Sequence, residues 1–433
     1  MKAVLSQLTN NPSYAKLWHW IKLVSITGTA QVTVQAIGFI SGILVIRLLP
    51  TQEYALYTLA NTMLGTMTVL ADGGISTGVM AKGGKVWQDR QRLGEVLATG
   101  FNLRKKFAVV SLCIALPVLV YLLHHHDASW TMSILIVLAL IPAFFTSLSG
   151  TLLEIAPKLH QEVAPLQKIQ VGVALSRLVL LSLSIFTFPV TFIAILSAGL
   201  PQIWANRRIR KISSVFADTT QAINLNDQKE ILYMVKRLLP EAIYYCVSGQ
   251  LTIWLISIYG STAGVAQAGA LGRLPVALTL FTVLFGSLVL PFFSRTPAVK
   301  KIVLQQYLKI QAGLVVLGLC IVGGVVLFSG PILTILGPQY TGLTSELIIM
   351  MVGSTISFIA TSSFFLCTCR GWVINPAISI TISIGAIIAG VSIIDVSTLK
   401  GIFWLNIFTS IVHLIMHLAY GIHRIVTIKN DAN

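Results

Sequence analysis

Two arginines stand where the sequence is otherwise almost wholly apolar. Arg177 lies within "QVGVALSRLVLLSLSIF" (170–186) and Arg273 within "VAQAGALGRLPVALTLFTVLFGSLVLPFF" (265–293). A guanidinium keeps its charge, and its planar fork of donors matches phosphate oxygens in bidentate geometry. Inside a lipid bilayer such a group costs about 2.5–3.5 kcal/mol on insertion scales. It must therefore face protein, water or an anion. Two uses fit. Each arginine ties helices together through a carboxylate, or each lines a hydrated cavity and meets a phosphate-bearing ligand. Asp72 and Glu241 are the candidate acidic partners within apolar runs, and both sit nearer the cytoplasmic end than Arg273. Pro275 removes a backbone donor and is expected to free the carbonyl of Leu271, with Gly269 and Gly272 loosening the same turn. A broken helix near the bilayer midplane is where membrane carriers often place a ligand site.

Other residues with chemical potential point less sharply. His413 and His417 share one helical face and suit a polar lining better than a metal site. "HHHD" (124–127) reads as a solvated outer turn. The five cysteines fall in apolar runs and read as packing residues, with no disulfide framework. "AKGGK" (81–85) lacks the spacing and the Ser/Thr of a phosphate loop, so no nucleotide engine is visible. No cofactor or metal site is indicated.

The elements that must position the arginines are membrane helices. The 433 residues are 55% hydrophobic and only 10% charged, with mean hydropathy +0.84. About a dozen continuous apolar runs appear, near 23–46, 54–80, 107–123, 130–153, 169–188, 190–206, 238–259, 265–293, 310–330, 346–367, 377–394 and 401–421. Each approaches the length that crosses a hydrocarbon core, and none alternates as barrel strands do. The fold expected is all-α and polytopic, with about 12 transmembrane helices in two six-helix lobes. Its domains are 1–206, a cytoplasmic connection 207–237, a second lobe 238–421 and a cytoplasmic tail 422–433. With both termini cytoplasmic, inside segments hold 26 of the 30 lysines and arginines and outside segments hold Arg47 and Lys400. That asymmetry follows the positive-inside rule and accounts for most of the +16 net charge without a nucleic-acid partner. The basic stretch 82–106 reads as a surface helix on anionic lipid, and "SYAKLWHWIK" (13–22) as an interfacial anchor. The first apolar run is too long for a signal-peptide core and reads as a retained span. A shift of 210 residues aligns the order of spans in the two halves, with little residue identity.

Three short stretches carry a resemblance. "RLLPTQEYALYTLA" (47–60) is similar to a motif of polysaccharide flippases in the multidrug/oligosaccharidyl-lipid/polysaccharide exporter superfamily, through Arg47, Leu48, Pro50, Tyr54 and Tyr57. Leu49 and Ala55 stand where that motif has glycine. "LADGGIS" (70–76) resembles the Asp-x-Gly ending of the second span, and "ILGPQYTG" (335–342) an outer element before the tenth. The resemblance implies a Wzx-like translocase in the bacterial cytoplasmic membrane, moving an undecaprenyl-diphosphate-linked oligosaccharide such as an O-antigen unit by alternating access. It implies that Arg273 occupies the place of a cavity arginine, and that Arg47 is a motif residue near the outer end. Arg273 and Arg177 then bind the diphosphate. Arg47, Asp72 and Glu241 are cavity or motif charges, and Gln31, Gln35, Asn61 and Gln250 are sugar contacts chosen for polarity within spans. The partners expected are the lipid-linked oligosaccharide, membrane lipids and other polysaccharide-assembly membrane proteins, and sodium, protons and the membrane potential all stay open as the driving force. Two alternatives remain at this point. One is a cation-coupled multidrug exporter, whose cavity would favour acids over arginines. The other is a membrane glycosyl polymerase or ligase, which the short outer loops disfavour, so the chain reads as a non-enzyme.

Overall fold

The computed structural model describes residues 12–218, 220–294, 296–297, 299–370, 372 and 374–428, with side chains from residue 28 onward except at 237, 238, 241, 242, 245, 247, 277, 283, 287, 288, 291 and 294. The side chains of the expected anchor at 13–22 and of Glu241 lie outside the described residues. Among the described residues there is no strand, and eight helices are long and apolar enough to cross a membrane. The protein is an all-α, multi-pass membrane protein that divides into two compact units.

The first unit takes residues 1–49 and 60–246. It contains α1 (Pro12–Leu48), most of α2 (Thr51–Asp72), α3 (Ile75–Val86), α4 (Arg90–His125), α5 (Trp130–Leu153), α6 (Ile155–Leu159), α7 (Val163–Thr187), α8 (Thr191–Phe216) and the first two-thirds of α9 (Leu225–Tyr259). The expected second span, 54–80, is broken. Helix α2 stops at Asp72, and Gly73 and Gly74 take φ of 48° and 93° before α3 begins. Those left-handed angles suit glycine, which has no Cβ to clash with the neighbouring carbonyl. The Asp72 carboxylate then accepts from the Ser76 N–H at 3.2 Å and the Ser76 hydroxyl at 2.8 Å, satisfying a donor in the first turn of α3.

The stretch 82–106 is not one surface helix. Asp89 caps α4 by accepting from the Gln91 and Arg92 N–H groups at 2.9 and 3.1 Å, and α4 then runs unbroken into the third span. Lys82 bonds Glu230 at 2.7 Å and lies 3.2 Å from Asp227, and Arg92 reaches Asp227 at 3.6 Å. Glu95 accepts from Asn224 at 3.0 Å. Part of the basic stretch thus answers acids on α9 rather than lipid phosphates. Beneath this polar rim, Ile75, Val79, Val96, Leu103, Leu152, Ile155, Ile231 and Val235 form an apolar cluster joining α3, α4, α5, α6 and α9. Helix α8 ends at Phe216 and α9 starts at Leu225, so the non-helical link between them is short.

The second unit takes residues 50–59 and 247–433. After the end of α9 come α10 (Thr262–Leu271), α11 (Val276–Leu284), a π-helical turn (Phe285–Val289), α12 (Leu290–Ser294), α13 (Lys300–Leu327), α14 (Ser329–Leu336), α15 (Thr344–Thr368), α16 (Pro376–Ile393) and α17 (Leu399–Val426). Phe285, Phe293, Tyr307, Leu314, Phe358, Leu366 and Ile425 pack the interior of this unit. Large apolar side chains such as Ile114, Leu183 and Leu319 are exposed on the outer faces, as expected where lipid is the solvent. Cys246 and Cys367 are buried packing residues as expected, whereas Cys113 and Cys320 are exposed on such faces. The outer histidine turn is not fully solvated: His126 is buried and the His124 ring lies 4.0 Å from that of Trp130.

Candidate functional site

In the second unit, the run around Arg273 breaks as its proline and glycines predict. Residues 272–275 form a turn between α10 and α11. The hydrogen-bond ladder tightens there: Arg273 N–H donates to the Ala270 carbonyl at 3.2 Å and Leu274 N–H to the Leu271 carbonyl at 2.9 Å. The expectation that the Leu271 carbonyl is freed is therefore corrected. Pro275 cannot serve it, so the preceding N–H shifts by one residue and takes it.

Arg273 is half-buried beside this turn. Arg273 and Tyr340 both lie within electrostatic reach of the Tyr54 phenol. Tyr54 is 1% exposed and its hydroxyl has no hydrogen-bond partner, while its ring stacks on Tyr57 at 6.2 Å. Two of the three motif stretches thus come near each other at Tyr54, with Arg273 in range of the same phenol. Helix α10 lies hard against the first turns of α2 in this unit, because Gly269 presents no side chain. A Cβ there would come within 2.5 Å of the Thr58 Oγ1. Among the described residues no carboxylate pairs with Arg273.

In the first unit, Arg177 sits at the middle of α7, half-buried, with an Nε that is buried and without a hydrogen-bond partner. Gln170, two turns earlier on the same face, accepts from Gln31 of α1 at 3.2 Å and donates to Glu154 at 3.4 Å. Glu154 is held in turn by Lys158 at 2.7 Å. So Gln31 belongs to a polar seam between α1 and α7 that also includes Gln167. Gln35, one turn along α1, is half-buried. Asn61 on α2 has a buried amide nitrogen with no partner. Gln250, on the part of α9 in the second unit, is half-buried. Arg47 is exposed in the last turn of α1, where a cation complements the helix C-terminal carbonyls.

Asp72 finds a partner that the sequence did not suggest. Arg104, counted with the cytoplasmic basic stretch, is 3% exposed. Its guanidinium contacts the Asp72 carboxylate, the Ser76 hydroxyl and the Leu148 carbonyl, and donates to Thr151 Oγ1 at 2.6 Å. Asp72 thus joins α2, α3, α4 and α5 and does not neutralise Arg177 or Arg273. The missed signal was the continuity of α4: Arg104 lies nearly four turns into that helix. The histidine pair is also engaged in packing. His413 lies 2.8 Å from the Ser383 hydroxyl on α16, and the His417 ring lies 5.4 Å from Phe364 on α15. Among the described residues no group of three metal-ligating side chains occurs.

Sequence reasoning also missed a second feature of this unit. A cavity of about 260 Å³ next to Pro275 is lined by Thr279 and Thr282 of α11, Ser354, Ser357 and Thr361 of α15, and Asn406 of α17. The signal was present: Ser354, Ser357 and Thr361 recur at helical spacing on one face of an otherwise apolar span.

No family model and no curated protein matches the chain. Solved structures do. The chain is similar to the lipid II flippase MurJ in an inward closed conformation, with TM-score 0.71 and 15% identity over 93% of this chain and 87% of that one. It is similar to a multidrug resistance MATE family transporter of the MOP superfamily in its inward-facing conformation, with TM-score 0.62 and 15% identity over 92% and 96% of the two chains. The outward-facing conformation of such a transporter gives TM-score 0.60 at 16% identity over 95% and 96%. At these identities the likeness is one of architecture: the chain has the fold shared by MATE transporters and the MurJ flippase.

Proposed function

We propose that this protein translocates a lipid-linked oligosaccharide diphosphate across the bacterial cytoplasmic membrane by alternating access. The observation that carries the reading is the pair of arginines within spans, Arg177 and Arg273, neither of which has a carboxylate partner among the described residues. Such charges in a membrane helix call for a hydrated cavity and a mobile anion. The diphosphate of a polyprenyl carrier offers that anion, and guanidinium matches it in bidentate geometry. Arg273 sits in a turn with tightened backbone bonds, so its head is placed by the chain break rather than by a long regular helix. The similarity to the lipid II flippase fold agrees with a lipid-linked substrate. In this reading the headgroup enters the protein while the lipid tail stays in the bilayer. Arg273 and Arg177 hold the diphosphate, and no bond is made or broken. An O-antigen repeat unit is the substrate class that the flippase-like motif stretches favour.

A second reading is a cation-coupled multidrug exporter, favoured by the similarity to MATE transporters. Cationic drugs need an acidic site, and Arg177 and Arg273 are cations. The test uses purified protein in vesicles loaded with fluorescent undecaprenyl-diphosphate oligosaccharide, with leaflet exposure read by a membrane-impermeant quencher. Arg273→Ala should abolish translocation, and Arg273→Lys should restore only part of it because the fork geometry is lost. Normal translocation by well-folded Arg273→Ala protein refutes the reading. Efflux of cationic dyes by wild-type protein without lipid movement establishes the exporter instead.

A further inference from the structure

Resting on that reading, we infer that the hydroxyl-lined cavity of the second unit is a sugar subsite, holding a neutral sugar ring of the lipid-linked headgroup beside Arg273. The cavity draws polar groups from three separate elements: Thr279 and Thr282 of α11, Ser354, Ser357 and Thr361 of α15, and Asn406 of α17. Three residues on α15 reach it because spacings of three and seven place them on one helical face.

The lining groups differ in their hydrogen bonding, and partnerless hydroxyls also occur away from the cavity at the buried Thr355 and Ser362 of α15. The hydroxyls of Thr279 and Thr282 donate back to the Val276 and Leu278 carbonyls of their own helix. Elsewhere on α15, Ser363 is satisfied by the Ile359 carbonyl and by Gln311. Ser354, Ser357, Thr361 and the Asn406 amide have no such partner among the described residues, and all four open on the cavity. Polar groups without partners at membrane depth are costly unless they meet water or a ligand. Three hydroxyls and one amide offer both donors and acceptors, which suits the mixed hydroxyl edge of a sugar.

Size and charge narrow the ligand. The site is an open groove of about 260 Å³, with Thr279, Ser357 and Thr361 exposed along it, and it has room for one sugar ring. Among the described residues no acid lines it, so it is poorly made for a cationic drug. Pro275, which lines the cavity, is two residues from Arg273. In this inference a diphosphate on the arginine carries its first sugar past the 272–275 turn to these hydroxyls. Phe358 lines both this cavity and an adjoining apolar one. It supplies an aromatic ring against which the apolar face of a sugar can pack.

Binding by full-length protein in nanodiscs tests the subsite with defined probes. These are undecaprenyl diphosphate alone, and the same lipid bearing glucose, galactose or N-acetylglucosamine. At least one sugar-bearing lipid should bind about tenfold more tightly than the bare diphosphate. Thr361→Val, which keeps shape and removes the hydroxyl, and Ser357→Ala should each remove most of that gain and leave bare-lipid binding unchanged. Thr361→Ser should retain it, and unchanged thermal melting excludes misfolding. Arg273→Ala should weaken every probe. Equal affinity of wild-type protein for bare and sugar-bearing lipids, with Arg273→Ala still weakening both, overturns the subsite alone. Pocket variants that lose a sodium response and keep the sugar preference also overturn it, since the groups then hold a cation. Failure of every lipid to bind overturns the flippase reading and the subsite with it.

Discussion

Replacing Asp72 by asparagine leaves a buried arginine without its counter-charge, and the structure sets the cost. The Arg104 side chain is 4% exposed and that of Asp72 is 29% exposed. Arginine does not shed its proton to escape burial. It would remain charged among neutral acceptors, the Leu148 carbonyl, Thr151 and Ser76. Removing one member of a buried pair costs about 3–5 kcal/mol. The partial exposure of Asp72 places Asp72→Asn near the lower end, about 3 kcal/mol. The reverse change is milder. In Arg104→Met the carboxylate keeps water access and its two bonds from Ser76, so about 1–2 kcal/mol is lost. The double variant should resemble Arg104→Met rather than the sum of the two, giving a coupling of about 3 kcal/mol. Unfolding in mixed micelles, followed by tryptophan fluorescence as the denaturing detergent fraction rises, measures all four proteins. If the two losses simply add, or if Asp72→Asn unfolds within about 0.5 kcal/mol of wild type, the pair does not brace these helices.

Three further outcomes are expected. Arg177→Met should leave melting nearly unchanged but cut lipid translocation at least tenfold; a large drop in melting temperature with full transport would assign it to structure instead. Gly269→Leu should destabilise by about 1–3 kcal/mol because its side chain must displace Thr58, and Thr58→Ala in the same protein should recover part of the loss. The third concerns pH. Hydrogen bonds from the Thr220 side chain, Gln221 and the Thr220 backbone hold the Asp218 carboxyl down at about 2. A lowered folded-state value means that this stabilisation is complete above the ordinary carboxylate value and fades as pH falls toward 2. Protection factors of the α8–α9 link, corrected for the intrinsic slowing of exchange in acid, should fall over that window, and Asp218→Asn should remove the dependence. An unchanged acid profile in the variant would show that another group controls the link.

The sequence by itself determined the class of the molecule. Continuous apolar runs require helices, because a bilayer satisfies no backbone group from outside. The same logic marked Arg177 and Arg273 as exceptions and placed a break at Pro275, since a missing N–H and two glycines act within one turn whatever surrounds them. The motif resemblance placed the end of the second span at the Asp-Gly-Gly turn, where α2 does stop, whereas the apolar run 54–80 ran past it, because local hydropathy does not report the left-handed angles at Gly73 and Gly74. Tertiary structure alone decided the partners. Arg104 lay in a basic stretch that charge counting assigned to the lipid surface, and only the packing of α2, α3, α4 and α5 carries it inward to Asp72. Lys82 and Arg92 were likewise read against lipid, yet they meet acids more than a hundred residues away on α9. The sugar contacts were chosen for polarity alone, and Gln31 proved to be engaged in the α1–α7 seam. Ser354, Ser357, Thr361 and Asn406 gather only when α11, α15 and α17 pack. Spacing along one helix fixes which residues share a face. Which faces meet is set by packing between segments far apart in the chain, and there the cavity beside Pro275 is made.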